Sequence, residues 1–383
     1  MIGLWGDSYY PYVDGVATAV RNYAYWLNRK YEETIIFVPG SHHKDSHEEE
    51  FPKFEFHSLT VPGLGGFRIG LPFADHAYHQ KLKTCRFTLV HAHSPFTASA
   101  QARSVARRQN TPYVITFHTN IKEDFLTYTH SRKFSEFGTN FAMKAYHQAD
   151  AVFAVSASAA DMLRSYGFRE EIIITPNGCD QVDPSPGDLA WARDFLHLSS
   201  DMPLFVFVGQ LIPQKKIFEI VRAARLVKGD FRLVFCGNGS ARKKLEDEIA
   251  RCGLTEKVVL PGIIADRNHL FAIYKIAAAL VFPSTYDASG LVVKEAGIMG
   301  TPAILARNAL TTEGFTDGNT AYIREPVPED IAAAMQEVLD DRARAAEIGR
   351  NASRLITSWE ETTDILYEQY QQVVERYNFE HKK

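Results

Sequence analysis

The chain has 383 residues, of which 45% are hydrophobic and 23% charged, and its formal net charge is −4. That length is too great for one compact core and predicts two ordinary-sized domains. The composition excludes a disordered chain, and the charge balance gives no whole-chain signal for nucleic-acid binding.

From the N-terminus, residues 1–7 carry no basic segment and no long apolar run, so no signal peptide is expected. Apolar, β-rich runs occur at 2–5, 34–38, 88–91, 113–117, 151–155 and 172–175. A second series lies at 204–208, 232–236, 258–260, 279–282, 303–305 and 321–323. Stretches such as 15–27, 158–166, 217–227 and 241–252 carry apolar residues at helical spacing. Strands alternating with helices predict α/β domains with parallel sheets. Sheets of that kind are covered on both faces, which explains the unbroken run Leu204-Phe205-Val206-Phe207-Val208. Asn177-Gly178 is a turn signal, and 182–188, with Pro184, Pro186 and Gly187, reads as an interdomain linker. The predicted organisation is a first domain at 1–181, a second at 182–358 and a terminal helical segment at 359–383. The four cysteines, Cys85, Cys179, Cys236 and Cys252, form no C-x-x-C pair, which suits a reducing cytosol. The longest apolar run, 276–283, is far shorter than the roughly 20 residues that span a bilayer. A cytoplasmic protein, at most peripheral to a membrane, is expected. The basic stretch 102–108 and the acidic stretch 46–50 read as solvated faces.

Ligands of open parallel sheets bind beyond the carboxyl ends of the strands, at helix N-termini. Two such domains face to face predict a phosphate-friendly cleft for a dinucleotide or a nucleotide sugar, without choosing between them. The strongest constellation is Phe282-Pro283-Ser284-Thr285-Tyr286-Asp287-Ala288-Ser289-Gly290-Leu291, continuing to Glu295. A buried strand ends, a short loop follows, and a helix begins near Gly290, whose missing side chain lets a ligand approach the backbone. Glu295 is placed to accept hydrogen bonds from ribose hydroxyls, and Asp287 to reach a sugar. A capping acid and a surface glutamate fit the same spacing. In Gly209-Gln210-Leu211-Ile212-Pro213-Gln214-Lys215-Lys216 a loop lysine can neutralise a diphosphate leaving group, although a solvated lysine pair also fits. Gly237-Asn238-Gly239 reads as a tight turn. In the first half, Gly15 sits ahead of a helix, and His91, His93 and His118 lie at strand ends. The H-x-H pair shares a strand face but lacks further ligands, so no metal is expected. No G-x-S-x-G elbow, phosphate-binding G-x-x-x-x-G-K-[ST] loop or G-x-G-x-x-G after the first strand is present, which counts against hydrolase, P-loop ATPase and ordinary dehydrogenase readings.

Taken in order, these segments resemble family 4 of the retaining glycosyltransferases, the group that includes glycogen synthase and phosphatidylinositol mannosyltransferase. The carrying segments are Gly6-Asp7-Ser8-Tyr9-Tyr10-Pro11 with Gly15-Val16, Val90-His91-Ala92-His93-Ser94-Pro95-Phe96, and Thr116-Phe117-His118-Thr119. Thr175-Pro176-Asn177-Gly178-Cys179-Asp180 and the E-x7-E spacing of Asp287 and Glu295, followed by Gly300-Thr301-Pro302, complete the set. The resemblance implies a GT-B fold, with the terminal helix from Trp359 crossing back to the first domain. It implies that Gly15 and the turn Ser289-Gly290-Leu291 offer backbone donors to the diphosphate and sugar. Gly239 falls in the donor-binding set, Lys215 offsets the leaving group's charge, and Glu295 holds the ribose. Ile263 and Ile264 frame the base through their main chain, His118 touches the transferred sugar near the bond that breaks, and Asp287 belongs with it in the catalytic set. Retention in the family is attributed to front-face attack, with a phosphate oxygen assisting deprotonation of the acceptor, so neither a metal nor another cofactor is required.

Three positions depart from the family pattern. Gln210 stands where arginine is usual, Lys216 where glycine follows the lysine, and Asp287 where the first glutamate stands. Gln210 brings no charge, and a hydrogen bond to a charged group is worth roughly 1.5–3 kcal/mol. The expected activity is transfer of a hexose from a nucleotide-diphosphate sugar, taken as UDP-hexose with GDP left open, to a lipid such as diacylglycerol or to a glycan. The apolar loop 63–73 and Phe125, Leu126 and Tyr128 motivate the lipid, with peripheral membrane contact through the first domain. The alternatives are a nucleotide-sugar-binding protein without transfer, motivated by Gln210 and Asp287, and an epimerase on the same fold.

Overall fold

The computed structural model describes all residues except 11–13, 41–48, 61–67, 119, 130, 181, 200, 288–289 and 382–383. Among the described residues two compact units separate: Met1–Gly178 with Trp359–Lys383, and Cys179–Ser358.

The first unit holds β1 (Ile2–Trp5), β2 (Thr34–Pro39), β3 (Lys53–Phe56), β4 (Ser58–Thr60), β5 (Arg68–Gly70), β6 (Leu89–Ala92), β7 (Tyr113–Phe117), β8 (Ala151–Ala154) and β9 (Ile172–Ile174). Seven of these form a parallel sheet in the order β3-β2-β1-β6-β7-β8-β9, while β4 and β5 pair antiparallel. The pattern of unbroken apolar runs passes over β3. That strand reads Lys53-Phe54-Glu55-Phe56 and lies at the sheet edge, where one face stays partly wet and side chains alternate. The core closes on Trp5, which stacks on Phe37 at 4.5 Å and donates through Nε1 to Tyr78 Oη at 3.0 Å.

The helix Gly15–Lys30 starts at Asp14, whose side chain accepts from Ala17 N, and ends with Arg29 and Lys30 against its dipole. The terminal helix Trp359–His381 packs on it within the same unit. Lys30 Nζ meets Asp364 at 2.6 Å, Tyr31 stacks on Tyr367 at 3.9 Å, and Tyr23 meets Trp359 edge-on at 5.3 Å.

The second unit carries β10 (Leu204–Val208), β11 (Arg232–Cys236), β12 (Val258–Gly262), β13 (Ala279–Phe282), β14 (Ala303–Ala306) and β15 (Tyr322–Arg324). They form one parallel sheet in the order β12-β11-β10-β13-β14-β15. The stretch read as a linker is partly helical: Ser185 and Asp188 make a reciprocal capping box, and Pro186 opens the helix Pro186–Phe195. A proline-rich stretch with a serine and an acid three residues on is a helix start as well as a linker signal.

Strand order reverses between β1 and β6 in the first sheet and between β10 and β13 in the second. At such a reversal the two connecting helices leave on opposite faces, so the loops at the strands' carboxyl ends part and open a crevice. In the second unit, main-chain bonds fix the loop after β10 to that after β11: Gly209 N to Cys236 O at 3.0 Å, Leu211 N to Asn238 O at 2.9 Å, and Ala241 N to Leu211 O at 3.0 Å. Gly239 allows this approach, since a Cβ there would lie 2.4 Å from Leu211 O. Gly239→Ala is therefore expected to lower unfolding stability by about 1–3 kcal/mol, measured as a shift of the urea midpoint at unchanged slope.

Candidate active-site groups in the two units

In the second unit the loops after β10 and β13 meet through one ion pair. Lys215 closes the short turn Pro213–Lys215, and its Nζ donates to Asp287 Oδ1 at 2.6 Å. Asp287 Oδ2 accepts from Ser284 Oγ at 2.6 Å, and Ser284 Oγ accepts in turn from Tyr286 N at 3.2 Å. The Lys215 ammonium also lies 5.3 Å from the centre of the Phe282 ring. Lys216 follows with φ +59°, the left-handed region that favours glycine. The glycine common in the family at this position thus has a conformational reason, and a lysine there costs roughly 1–2 kcal/mol.

Gly290 caps the helix Leu291–Ile298 at φ +54°, where a Cβ would lie 2.7 Å from Thr311 Cγ2. In the first turn Val293 N and Lys294 N donate to Gly290 O at 2.8 and 3.4 Å, whereas the N–H groups of Leu291 and Val292 have no acceptor within the helix. Ser289 lies outside the described residues. Glu295, on the second turn of this helix, is only 6% exposed and so is no surface glutamate. Its Oε1 accepts from Arg267 Nη1 at 2.9 Å and its Oε2 from Tyr274 Oη at 2.9 Å. Arg267 Nη2 also reaches Asp180 at 2.6 Å. Burial opposes the charge on Arg267, but the carboxylates of Glu295 and Asp180 outweigh it and raise the guanidinium above its ordinary value. Gln210 is exposed on the loop after β10, and Ile263, just past β12, is 72% exposed.

In the first unit, Gly15 is exposed at the first position of its helix, and His118 stands one residue beyond β7. His118 Nε2 and His93 Nδ1 share a hydrogen bond of 2.9 Å. His91 uses both ring nitrogens, Nδ1 with Tyr370 Oη of the terminal helix and Nε2 with Thr116 Oγ1 at 2.7 Å. Burial pushes His91 and His93 well down from their ordinary range and His118 down to about 3, so all three are neutral near pH 7. Asp7, two residues past β1, accepts at Oδ1 from Ala98 N at 2.8 Å. Burial pushes its carboxyl up to about 7, against the lowering effect of the Ala98 and Phe96 N–H groups. Asp7 Oδ2 and His93 Nε2 are buried without a hydrogen-bond partner. Phe125 packs on Phe96 at 5.8 Å and fills the space left by Gly138.

Of the residues picked from the sequence, the structure joins Lys215 to Asp287, sets Gly239 against the loop bearing Gln210, and gives Glu295 two donors. Arg267, Tyr274, Ser284 and Asp7 escaped selection as individual residues. Arg267 and Tyr274 sit on the helix Arg267–Ile276 with no motif spacing toward Glu295, and only the fold brings them together. Among the described residues no three or more His, Cys, Asp or Glu side chains are grouped to hold a metal ion.

Comparison with known proteins places the chain. The family model for group 1 glycosyl transferases matches residues 192–355, and that for glycosyltransferase family 4 matches residues 13–182. The D-inositol 3-phosphate glycosyltransferase of Rhodococcus opacus is 30% identical over 319 residues, 77% of this chain and 69% of that protein. The alpha-monoglucosyldiacylglycerol synthase of Streptococcus pneumoniae is 23% identical over 354 residues, 88% of this chain and 78% of that protein. Anabaena HepE in complex with UDP and glucose superposes with a TM-score of 0.79 at 18% identity, covering 97% of this chain and 99% of that one, a likeness of fold. The chain belongs to the family 4 glycosyltransferases and has the GT-B fold.

The buried ionisable groups of the first unit give a pH signature. A carboxyl raised in the folded state contributes stability that is whole below its ordinary value of 3.8 and is lost as pH rises through about 7. The histidines act oppositely, since their stabilisation is present above 6.5 and is lost as pH falls. Asp7→Asn is expected to gain roughly 2–3 kcal/mol on the wild type between about pH 5 and pH 8. Urea titrations at a series of pH values measure this, and parallel pH profiles for the two proteins would remove the buried-carboxyl reading.

Proposed function

We propose that the chain is a retaining hexosyltransferase that moves a hexose from a UDP-sugar to a lipid acceptor such as diacylglycerol. The observation that carries the reading is the Lys215–Asp287 pair, which joins the two loops beyond β10 and β13 at the reversal of strand order. In transfer, negative charge builds on the departing diphosphate. Lys215 stabilises that charge together with the Leu291 and Val292 N–H groups at the start of the helix Leu291–Ile298. Glu295, held by Arg267 and Tyr274, presents its carboxylate to the ribose hydroxyls. Main-chain groups at Ile263 frame the base. His118, neutral and tied to His93, hydrogen-bonds the transferred sugar without adding a positive charge. Asp287 keeps Lys215 in place and reaches the sugar. The leaving-group charge is met by protein groups, so no metal takes part.

Support for the donor comes from HepE, which binds UDP and glucose on the same fold. Support for the acceptor comes from the pneumococcal relative, whose name gives its product as a glucosylated diacylglycerol. The Rhodococcus relative is named for a polar acceptor, inositol phosphate, so both classes belong in the test. No helix among the described residues is long and apolar enough to cross a membrane, and the reading places the protein in the cytoplasm, peripheral to its lipid substrate.

The test is incubation with UDP-glucose, UDP-galactose, UDP-N-acetylglucosamine and GDP-mannose, with micellar diacylglycerol or inositol phosphate as acceptor. The expected result is UDP release from a UDP-hexose that depends on diacylglycerol, an α-linked glycolipid product, and turnover unchanged by EDTA. Donor binding without nucleotide release would make it a binding protein, an epimerised sugar would make it an epimerase, and loss in EDTA restored by Mg²⁺ would overturn the metal-free mechanism.

A further inference from the structure

The helix Arg132–Tyr146 of the first unit buries one face and leaves three aromatics on the other. Ser135, Gly138, Thr139, Ala142 and Met143 point inward. Ser135 Oγ donates to Lys122 O at 2.6 Å, and the Phe125 ring fills the site where a Cβ on Gly138 would lie 2.5 Å from it. These contacts fix the helix's rotation against the helix Ile121–Thr129. Outward, Phe134 is 56%, Phe137 68% and Phe141 53% exposed. Their spacing of three and four residues sets them on one stripe, and the Phe134 and Phe137 rings lie 6.4 Å apart. Single exposed apolar residues are ordinary, but a continuous aromatic stripe is a mark of an interaction surface.

The charges on this helix narrow the choice of partner. Lys133 and Lys144, both exposed, fall on the same side as the three rings, while the acidic Glu136 lies more than a quarter-turn around the helix from Phe137. Against an apolar protein face the two ammonium groups would lose water without gaining an opposite charge. Against a second copy of the same face they would meet like charges. At an anionic bilayer the rings enter the boundary between headgroups and acyl chains while the lysines extend to lipid phosphates. We infer that this face docks the first unit onto an anionic lipid surface. The inference deepens the lipid-acceptor reading and rests on it for its purpose, since docking brings the enzyme to a substrate dissolved in the bilayer.

The test uses the full chain with phosphatidylcholine vesicles, with and without phosphatidylglycerol, lacking diacylglycerol and donor. The wild type is expected to co-sediment with the anionic vesicles and to be released by salt. The combined Phe134→Ser, Phe137→Ser and Phe141→Ser variant should bind at least about tenfold more weakly. Replacing the same three residues by leucine should keep most of the binding. Lys133→Glu with Lys144→Glu should abolish the preference for phosphatidylglycerol. Circular dichroism matching the wild type checks that the variants fold. Failure of the wild type to bind anionic vesicles, equal binding by the serine variant, or a solution dimer that the serine variant loses, would each overturn the proposal. Transfer to diacylglycerol in detergent micelles is read separately, so its failure removes the lipid-acceptor reading while the vesicle result stands.

Discussion

Two loops that begin at neighbouring strands are held together by the ion pair of Lys215 and Asp287, 72 residues apart in sequence and 2.6 Å apart in space. The lysine side chain is 11% exposed and the aspartate 20%, so both charges have given up most of their water. Either one alone would be left poorly solvated, which makes a pair of this kind costly to break from one side. The sheet imposes this juxtaposition. Reversal of strand order puts β10 beside β13, and the central strands are buried on both faces, so the polar groups that cannot be buried collect at the carboxyl ends. Ser284, Tyr286 and the Phe282 ring then fix the aspartate and the lysine from below. In the proposed transfer the diphosphate shares this lysine with Asp287, so charge stabilisation is preorganised before the donor arrives.

In the first unit a cluster of buried histidines is kept uncharged. His91, His93 and His118 form a row of neutral, mutually tilted rings, with His91 and His93 centred 4.0 Å apart and His93 and His118 5.2 Å apart. The terminal helix closes one end of this row through Tyr370, which gives that helix a polar anchor beside its apolar contacts with Tyr23 and Tyr31. Asp7, near the point where strand order reverses, is a carboxyl raised by burial.

Most of the parallel strands were legible because buried strands read as apolar runs, and Leu204–Val208 is the clearest case. The edge strand Lys53–Phe56 and the hairpin of β4 and β5 were not, because a partly wet strand carries lysine, glutamate or threonine in alternation with its apolar residues. Lys215, Asp287 and Glu295 could be picked by their places after strands and on a helix. Their partners could not: Arg267 reaches both Glu295 and Asp180 from a helix whose sequence position carries no sign of either contact. The small residues after a strand marked Gly239, and family spacing marked the position of Lys216. The structure adds physical reasons, a close backbone approach at the one and a left-handed φ of +59° at the other. The aromatic stripe of Arg132–Tyr146 was hidden for a different reason, since three phenylalanines at helical spacing read equally well as a core face until burial is known.

The most direct measurement is a double-mutant cycle on Lys215 and Asp287, using Lys215→Met, Asp287→Asn and the pair, with calorimetric donor affinity and kcat read for each. If the lysine meets the leaving diphosphate and the aspartate holds it there, Lys215→Met lowers kcat more than tenfold, by at least about 1.4 kcal/mol in the barrier. The double variant then costs less than the two single changes together. A folded Lys215→Met protein with unchanged donor affinity and unchanged kcat would contradict the account.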